Sequence, residues 1–344
     1  MQVSITNYPT SDVNVGGDAK WFFDPIAVSG GQFYTYSDKY KSNIQSHVVA
    51  EFHNGNGTYT YIDLGVAPAA SSWQAFTSNL NVPSGAATLT VYHLINAVGV
   101  LTTDNYSLVS GTNTNTFGKG LVSLSFDDGW ASIYTNGIPI VNAAGFKSTQ
   151  YIITNEIDDT ANGYMSLAQI NAMNAAGHDI EAHTRNHPDL TTLSAADLQS
   201  EVTGSRTDLQ GLSFTPVDNF AYPYGQYNNT VISAAQTAGF SGARTVDFGF
   251  NDRSTNRYLL KGSSVERGGS CDGGAAATSL ADVKSWIDTA ALNKTWLILV
   301  FHQIDNVNAN CYGTTAAMLQ SIVDYLKTSA VSVVTIDQGL QQMP

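Results

Sequence analysis

The chain has 344 residues, of which 43% are hydrophobic and 12% are charged, and its net charge is -13 at pH 7. This is enough apolar material for one large domain or two ordinary ones. Neutralising phosphates needs clustered Lys and Arg, and only 15 such residues are present, so the composition argues against a nucleic-acid partner. No run approaches the roughly 18 apolar residues of a membrane span, so none is expected.

Residues 1–112 consist of short runs in which apolar and polar residues alternate, such as HVVAEFH and ATLTVYHLI, separated by the turn sequences NGNG and PSG. Alternation with frequent turns predicts an antiparallel β-sandwich. Residues 113–119 are small, polar and without periodicity, so we interpret them as a linker.

Residues 120–344 have a different pattern, in which apolar strand-like runs alternate with helical segments. Ser166, Ser194 and Ser279 stand where helix N-caps are expected. Buried strands that alternate with amphipathic helices predict a parallel α/β barrel or open sheet.

Ionisable residues follow several of the predicted strands. Asp127 and Asp128 follow LVSLSF, His183 follows HDIEA, and His302 follows WLILVF. In a barrel these positions meet at one rim, where catalytic groups belong. Taken singly, Asp-Asp-Gly is also an ordinary turn and a lone histidine is often structural. The presence of His187 four residues after His183 favours a metal site over these structural interpretations, because two imidazoles and a carboxylate form a known catalytic zinc arrangement.

Four motifs in this order resemble those of the NodB-like polysaccharide deacetylases, family four of the carbohydrate esterases: SFDDG, HTRNH, AYPYG and ILVFH. The resemblance covers residues from about 120 to 340. It implies a distorted (β/α)7 barrel, preceded here by the β-sandwich. It also implies hydrolysis of an acetamide or acetyl ester of a polysaccharide to acetate.

The resemblance assigns roles to individual residues. Asp128, His183 and His187 would hold one divalent metal ion, usually zinc, and Asp127 would be the general base. His302 would be the general acid.

The third and fifth motifs would bind the acetyl group and the substrate. The backbone N–H of Tyr224, together with the ion, would stabilise the oxyanion. The other substrate-binding residues implied are Tyr222, Pro223, Ile298 and Val300.

The chain departs from the family's pattern at two motifs. The third motif usually has an arginine that steadies the base, but Ala221 stands there. We predict that Arg244 replaces it through the planar fork of its guanidinium, with Lys261 and Arg267 as alternatives. The fourth motif is indistinct, and Asp247 is a candidate partner for His302.

Cys271 and Cys311 both lie in polar loop sequences. We expect them to form a disulfide in an oxidising compartment, the alternative being two free thiols. A secreted or cell-surface monomer is expected, with its signal peptide absent from this sequence.

The N-terminal part is similar in texture to jelly-roll carbohydrate-binding modules. Aromatic residues that could stack on sugar rings are Trp21, Tyr34, Tyr36, Tyr59 and Trp73, although aromatic residues in a sandwich more often belong to its core.

Three functions remain open from the sequence. The first is an amidase acting on N-acetylated polymers such as chitin, poly-N-acetylglucosamine or peptidoglycan. The second is an acetylxylan esterase. The third is a sugar-binding protein without turnover, which the complete set of predicted catalytic residues disfavours.

Overall fold

The structure is a computed structural model that describes residues 1–6, 18–268, 277–305 and 311–344. Its contacts divide the chain into two compact units, Met1–Thr114 and Asn115–Pro344. Within the described residues, no helix has the length and apolar character needed to cross a membrane.

The first unit contains nine β-strands in its described part. They are β1 (Gln2–Ile5), β2 (Ala19–Trp21), β3 (Ile26–Ala27), β4 (Phe33–Ser42), β5 (Ser46–Asn54), β6 (Tyr59–Ala67), β7 (Ala70–Asn81), β8 (Ala86–Ile95) and β9 (Gly99–Gly111). One sheet has the order β1-β9-β4-β7, and the other has the order β2-β8-β5-β6 with β3 also paired to β8. All of these pairs are antiparallel.

The two sheets of this unit pack against each other. Tyr40 and Leu101 from the first sheet share a buried cluster with Ala67 and Ile95 from the second. The inward side chains alternate with outward ones along β4 and β5. This is the β-sandwich that the alternating sequence predicts.

A polar chain also crosses the sandwich core. His93 Nδ1 donates to Asp38 at 2.6 Å, His93 Nε2 lies 2.9 Å from the Ser46 hydroxyl, and the Tyr36 hydroxyl donates to Asp38 at 2.9 Å. All four side chains are buried. These hydrogen bonds cross-link the two sheets, and solvent cannot reach them. Tyr36 and the buried Tyr34 therefore belong to the core, which is the more common position for aromatic residues in a sandwich.

The second unit contains eight strands and seven α-helices in its described part. The strands are β10 (Gly120–Phe126), β11 (Thr149–Ile152), β12 (Asp179–Ala182), β13 (Asn219–Ala221), β14 (Gly242–Arg244), β15 (Ser263–Ser264), β16 (Trp296–Phe301) and β17 (Val331–Val333). The helices are α1 (Ile138–Ala143), α2 (Leu167–Ala175), α3 (Ala195–Gly211), α4 (Asn229–Thr237), α5 (Leu280–Asn293), α6 (Ala316–Thr328) and α7 (Ile336–Leu340).

The strands of this unit form one parallel sheet in the order β14-β13-β12-β11-β10-β16-β15, with β17 paired to the first half of β10. A parallel bridge between Arg244 and Leu260 connects β14 to the segment before β15. The sheet thus curls into a distorted barrel, which confirms the predicted fold class.

Sequence signals fix the helix starts of the barrel. The side chains of Ser166, Ser194 and Ser279 each accept a backbone N–H in the first turn of α2, α3 and α5, as predicted.

Phe117, within the predicted linker, is buried in the second unit, and its ring centroid lies 6.3 Å from that of Trp296.

The barrel interior and its helical coat are two separate cores. Along β16, Trp296, Ile298 and Val300 belong to the interior cluster, whereas Leu297 and Leu299 belong to the cluster beneath the helices. Because alternate residues of a strand face opposite sides, residues two apart at a strand end point into the same space. A residue that follows a strand and faces the barrel interior therefore places its side chain inside the rim.

His178, in the turn before β12, gives a prediction for stability. It is buried, its Nδ1 accepts the backbone N–H of Ser148 at 3.1 Å, and its Nε2 lies 3.1 Å from Asn142 Oδ1. Burial, assisted by the charge of Lys147, lowers the pKa of His178 from 6.5 to about 4. Between these values the unfolded chain binds a proton that the folded chain rejects, so stability falls as pH falls through this window.

We expect this effect to contribute on the order of 2 kcal/mol of unfolding free energy between pH 7 and pH 4.5. His178→Asn, which keeps an acceptor near the Ser148 N–H but does not titrate there, should lose less stability over that range. Urea unfolding of both proteins at the two pH values measures the difference. Equal losses of unfolding free energy in the two proteins would show that His178 is not responsible for the pH dependence.

Candidate active site and metal centre

The rim at the carboxyl ends of the strands brings together one carboxylate and two imidazoles. Oδ1 of Asp128 lies 3.5 Å from Nε2 of His183 and 3.5 Å from Nε2 of His187. One possible ligand atom from each residue lies within 4.8 Å of the other two. The sequence predicted these three residues as metal ligands, and the fold places them as one cluster.

The turn that carries Asp128 is held in a conformation that few side chains adopt. Asp128 has φ = 72° and Gly129 has φ = 84°, so the chain reverses immediately after the strand. The Trp130 indole N–H donates to Oδ2 of Asp128 at 2.9 Å, and its ring stacks on Tyr164 at 4.4 Å. One carboxylate oxygen is thereby fixed, and the other is left for the imidazoles.

Oδ1 of Asp128 is buried and has no hydrogen-bond partner among the described residues. Burial raises the pKa of Asp128, but the neighbouring imidazoles of His183, His302 and His187 outweigh this effect and hold that pKa well below its usual range. A buried, ionised oxygen without a donor is costly unless a cation satisfies it. This orphaned oxygen fits a metal ligand.

Each histidine is oriented so that Nε2 faces the cluster. Nδ1 of His183 donates to the backbone carbonyl of Ala221 at 2.8 Å, which fixes the tautomer and leaves Nε2 as a lone-pair donor. Burial, with the nearby charge of His183, lowers the pKa of His187 to about 4. His187 is therefore neutral at pH 7, the form that binds metal.

The HTRNH loop is supported by α3, which the sequence analysis did not foresee. The backbone N–H groups of Arg185 and Asn186 both donate to Glu201 at 2.9 Å. The Arg185 side chain forms two 2.7 Å hydrogen bonds with Asp208. These contacts hold a loop in which Thr184 and His187 both have positive φ, at 66° and 58°. Strained residues of this kind persist only where the surroundings impose them.

Asp127 lies beside the cluster and is paired with Arg244. Nη2 of Arg244 donates to both oxygens of Asp127, at 2.6 and 2.5 Å, and both side chains are buried. The predicted contact is therefore present, although one nitrogen makes both hydrogen bonds and the expected two-nitrogen fork does not form. The reason is that Nη1 instead donates to the carbonyl of Thr245 at 3.0 Å.

Arg244 lies on the strand next to β13, the strand that carries Ala221 at the position where the third motif usually has its arginine. Ala221 on β13 and Arg244 on β14 are register partners, so both side chains enter the barrel at the same level. The guanidinium lies over the ring of Tyr151, 5.0 Å from its centroid. The Tyr151 hydroxyl donates to Asn219, whose amide in turn donates to Asp337 at 2.6 Å. The guanidinium of Arg244 is thus held both by the ring of Tyr151 and by its ion pair with Asp127.

Of the remaining predicted residues, Ile298 and Val300 belong to the interior cluster and Tyr222 to the cluster beneath the helices. Ile298 and Val300 are completely buried, and His302 continues their face of β16. Tyr222 is buried and its hydroxyl donates to the carbonyl of Tyr258 at 3.1 Å. Substrate binding by these residues stays a prediction.

Tyr224 and His302 flank the histidine pair and the rim. Tyr224 is 61% exposed, has φ = 57°, and packs edge-on against His187 at 4.5 Å. His302 lies 5.9 Å from the ring of Tyr312. Its Nδ1 is buried without a hydrogen-bond partner among the described residues. Asp247 accepts from Tyr227 at 3.1 Å, and its pairing with His302 stays a prediction.

Cys271 lies outside the described residues, so its disulfide with Cys311 stays a prediction. Trp130, Glu201 and Asp208 are the supporting residues that the sequence analysis missed. Only Trp130 had a local signal, because it directly follows the SFDDG motif.

Part of the second unit is similar to known proteins. Residues 114–243 match the family model described as polysaccharide deacetylase. A putative polysaccharide deacetylase, YxkH of Bacillus subtilis (strain 168), is 28% identical over 139 residues, which is 40% of this chain and 49% of that protein. A bifunctional xylanase/deacetylase of Pseudobutyrivibrio xylanivorans is 25% identical over 224 residues, 64% of this chain and 33% of that protein. The chain thus spans less than half the length of these relatives.

Among solved structures, the Xyl-CE4 domain of a multidomain xylanase from the hindgut metagenome of Trinervitermes trinervoides is similar to this chain. It has a TM-score of 0.48 and 19% sequence identity, covering 65% of this chain and 91% of that domain.

Proposed function

Residues 114–243 belong to the polysaccharide deacetylase family, and from this premise we propose that the chain is a metal-dependent hydrolase that removes acetyl groups from a polysaccharide. One observation carries the proposal: the cluster of Asp128, His183 and His187 lies at the same rim as Asp127, whose carboxylate is held by Arg244.

We assign the metal to Asp128, His183 and His187. Two neutral imidazoles and a carboxylate suit zinc, and three protein ligands leave a coordination position open. A bound divalent ion would supply Lewis-acid polarisation of the acetyl carbonyl and of water.

The protein's own groups move the protons in this proposal. Asp127 accepts a proton from the attacking water, and Arg244 fixes the direction of its lone pairs. The backbone N–H of Tyr224 donates to the acetyl oxygen as that atom gains negative charge. His302 donates a proton to the leaving nitrogen as the bond from carbonyl carbon to nitrogen breaks. The products are acetate and a free amine.

The substrate we favour is a polymer of N-acetylated amino sugars, such as chitin, poly-N-acetylglucosamine or peptidoglycan. The second candidate is acetylxylan, in which the leaving atom is a sugar oxygen. It is favoured by the relative named bifunctional xylanase/deacetylase, whose alignment covers 64% of this chain.

We also propose that the protein is a secreted monomer with a disulfide between Cys271 and Cys311. The acidic composition with few lysines and the two cysteines in polar loops support this assignment. Carbohydrate binding by the first unit is a further part of the proposal.

Acetate release tests the activity directly. We expect release from chitin oligosaccharides, peptidoglycan or acetylxylan, its loss after treatment with a chelator, and its recovery on addition of zinc. Zinc at a hundred times its Kd should also raise the unfolding free energy by about 2.7 kcal/mol. No acetate from any of these polymers in the zinc-loaded protein would refute the deacetylase assignment, and acetate release unchanged by the chelator would refute the metal assignment.

A further inference from the structure

The outer face of the β2-β8-β5-β6 sheet carries large aromatic side chains that the fold leaves exposed. Tyr59 and Tyr61 on β6 are 56% and 51% exposed, and Phe22, next to β2, is 53% exposed. Tyr92 lies on β8 between them and Phe22, but it is only 9% exposed, so it supports the exposed rings and does not offer a free ring face of its own. We call Phe22, Tyr59, Tyr61 and Tyr92 the aromatic face. Exposed apolar rings grouped on one surface mark an interaction site more often than isolated ones do.

Contacts among the side chains hold this aromatic face in one arrangement. The rings of Tyr59 and Tyr61 lie 6.4 Å apart with planes 19° from parallel, and His53 stacks on Tyr59 at 4.8 Å and 22°. Glu51 stands opposite Tyr61 in the strand register. Burial and the nearby Glu51 carboxylate raise the pKa of both Tyr61 and Tyr92. The rings are thus ordered before any partner arrives, which lowers the entropic cost of binding.

The far end of the aromatic face is fixed in the same way. Phe22 packs edge-on against Tyr92 at 5.4 Å, and Lys20 lies 4.3 Å above the Tyr92 ring. Lys20 is also paired with Asp18 at 3.2 Å. The ammonium group of Lys20 is therefore already paired with a carboxylate, and it offers no unpaired positive charge to a polyanion.

We propose that this aromatic face binds an extended, neutral polysaccharide chain. Aromatic ring faces are negative and attract the polarised C–H groups on the apolar side of a sugar ring, and the tyrosine hydroxyls and Glu51 offer hydrogen bonds at the edge. The net charge of -13 repels polyanions. An open sheet face lacks the enclosing walls of a small-molecule pocket, so it suits a polymer.

The inference rests on the proposed function in one respect: the bound polymer is of the class that the barrel would deacetylate. Tethering to that polymer would raise the local concentration of acetyl groups without changing the chemistry. Tyr59 was among the sugar-stacking candidates from the sequence, and its exposure separates it from the buried Tyr34 and Tyr36.

Co-sedimentation of the full chain with insoluble chitin and with insoluble xylan tests the inference, with a chelator present to silence the barrel's metal centre. We expect wild-type protein to bind at least one polymer. Tyr59→Ala combined with Tyr61→Ala should weaken binding about tenfold, because two stacking rings are lost. The matched pair Tyr59→Phe and Tyr61→Phe keeps both rings and should bind within about threefold of wild type.

Val109→Ala is the control on the other sheet, where Val109 is 60% exposed, and it should bind as wild type does. Failure of wild-type protein to bind either polymer, or undiminished binding by the double alanine variant, would overturn the inference. Acetate release from soluble oligosaccharides should be equal in all variants. Its absence from wild type would refute the deacetylase proposal and leave the binding result standing.

Discussion

Asp127→Asn is expected to lower kcat/KM by about 10² to 10⁴ while metal content stays at the wild-type level. General-base catalysis contributes an effect of this size, and an amide cannot accept the proton. The amide oxygen of this variant would still accept a hydrogen bond from Nη2 of Arg244, which contacts both carboxylate oxygens in the wild-type protein, so the geometry is largely kept. The charge of Arg244 loses its partner, so a lower Tm is also expected.

The matched comparison is His187→Ala. This variant removes one of the three clustered ligand groups, so metal content and activity should fall together; the same holds for His183→Ala and Asp128→Ala. Metal analysis and acetate-release kinetics on each purified variant, at a temperature below its Tm, separate a ligand from a base. Wild-type kcat in Asp127→Asn would remove Asp127 from the chemistry, and loss of metal in that variant would make it a ligand.

The arrangement of the rim follows from the strand pattern, and this part was predictable. A carboxylate or imidazole that directly follows a buried parallel strand must lie at the carboxyl end of the sheet. Asp128 and His183 satisfy this rule, and the four-residue spacing then brings His187 to the same cluster. The serine N-caps are equally local signals, since a cap depends on three or four consecutive residues.

The support of the rim was not predictable from such local patterns. Glu201 and Asp208 hold the HTRNH loop from 15 to 23 residues further along the chain. Nothing in α3 marks these two acidic residues as different from a solvated helix face. Their role depends on how α3 packs beside β12, which is a tertiary property.

The tyrosines of the first unit show a similar limit. Alternation along a strand indicates that Tyr34 and Tyr36 share one face and that Tyr59 and Tyr61 share one face. It does not say which face is covered by the second sheet. That depends on how the two sheets pack against each other, which buries Tyr34 and Tyr36 and leaves Tyr59 and Tyr61 exposed.

Arg244 is the position where sequence and register together explain a departure from the family's pattern. The usual arginine of the third motif is replaced by Ala221, and Ala221 faces Arg244 across neighbouring strands. A guanidinium on either residue would enter the barrel at the same level. We therefore expect Arg244, on the neighbouring strand, to orient Asp127 in place of the usual arginine of the third motif.

Arg244→Ala is expected to lower kcat about a hundredfold, since misplacement of a catalytic group by about 1 Å can cost that much. It should also lower the unfolding free energy by about 3 to 5 kcal/mol, because it leaves Asp127 buried without its partner. Arg244→Lys keeps the charge but loses the contact with the Thr245 carbonyl and the planar packing on Tyr151. Only partial recovery of kcat is expected from it.

The decisive variant combines Arg244→Ala with Ala221→Arg, which returns the cation to the third motif and refills the volume that Arg244 leaves. Because the two positions are register partners, we expect kcat to recover at least tenfold over Arg244→Ala, with metal content at the wild-type level in both proteins. Ala221→Arg alone is the control; it crowds two guanidinium groups into a buried space, so it should lose stability without gaining activity. If the combined variant folds, binds zinc and still has the kcat of Arg244→Ala, then the level at which the guanidinium enters the barrel is not what orients Asp127. If Arg244→Ala itself retains wild-type kcat, then Asp127 needs no arginine.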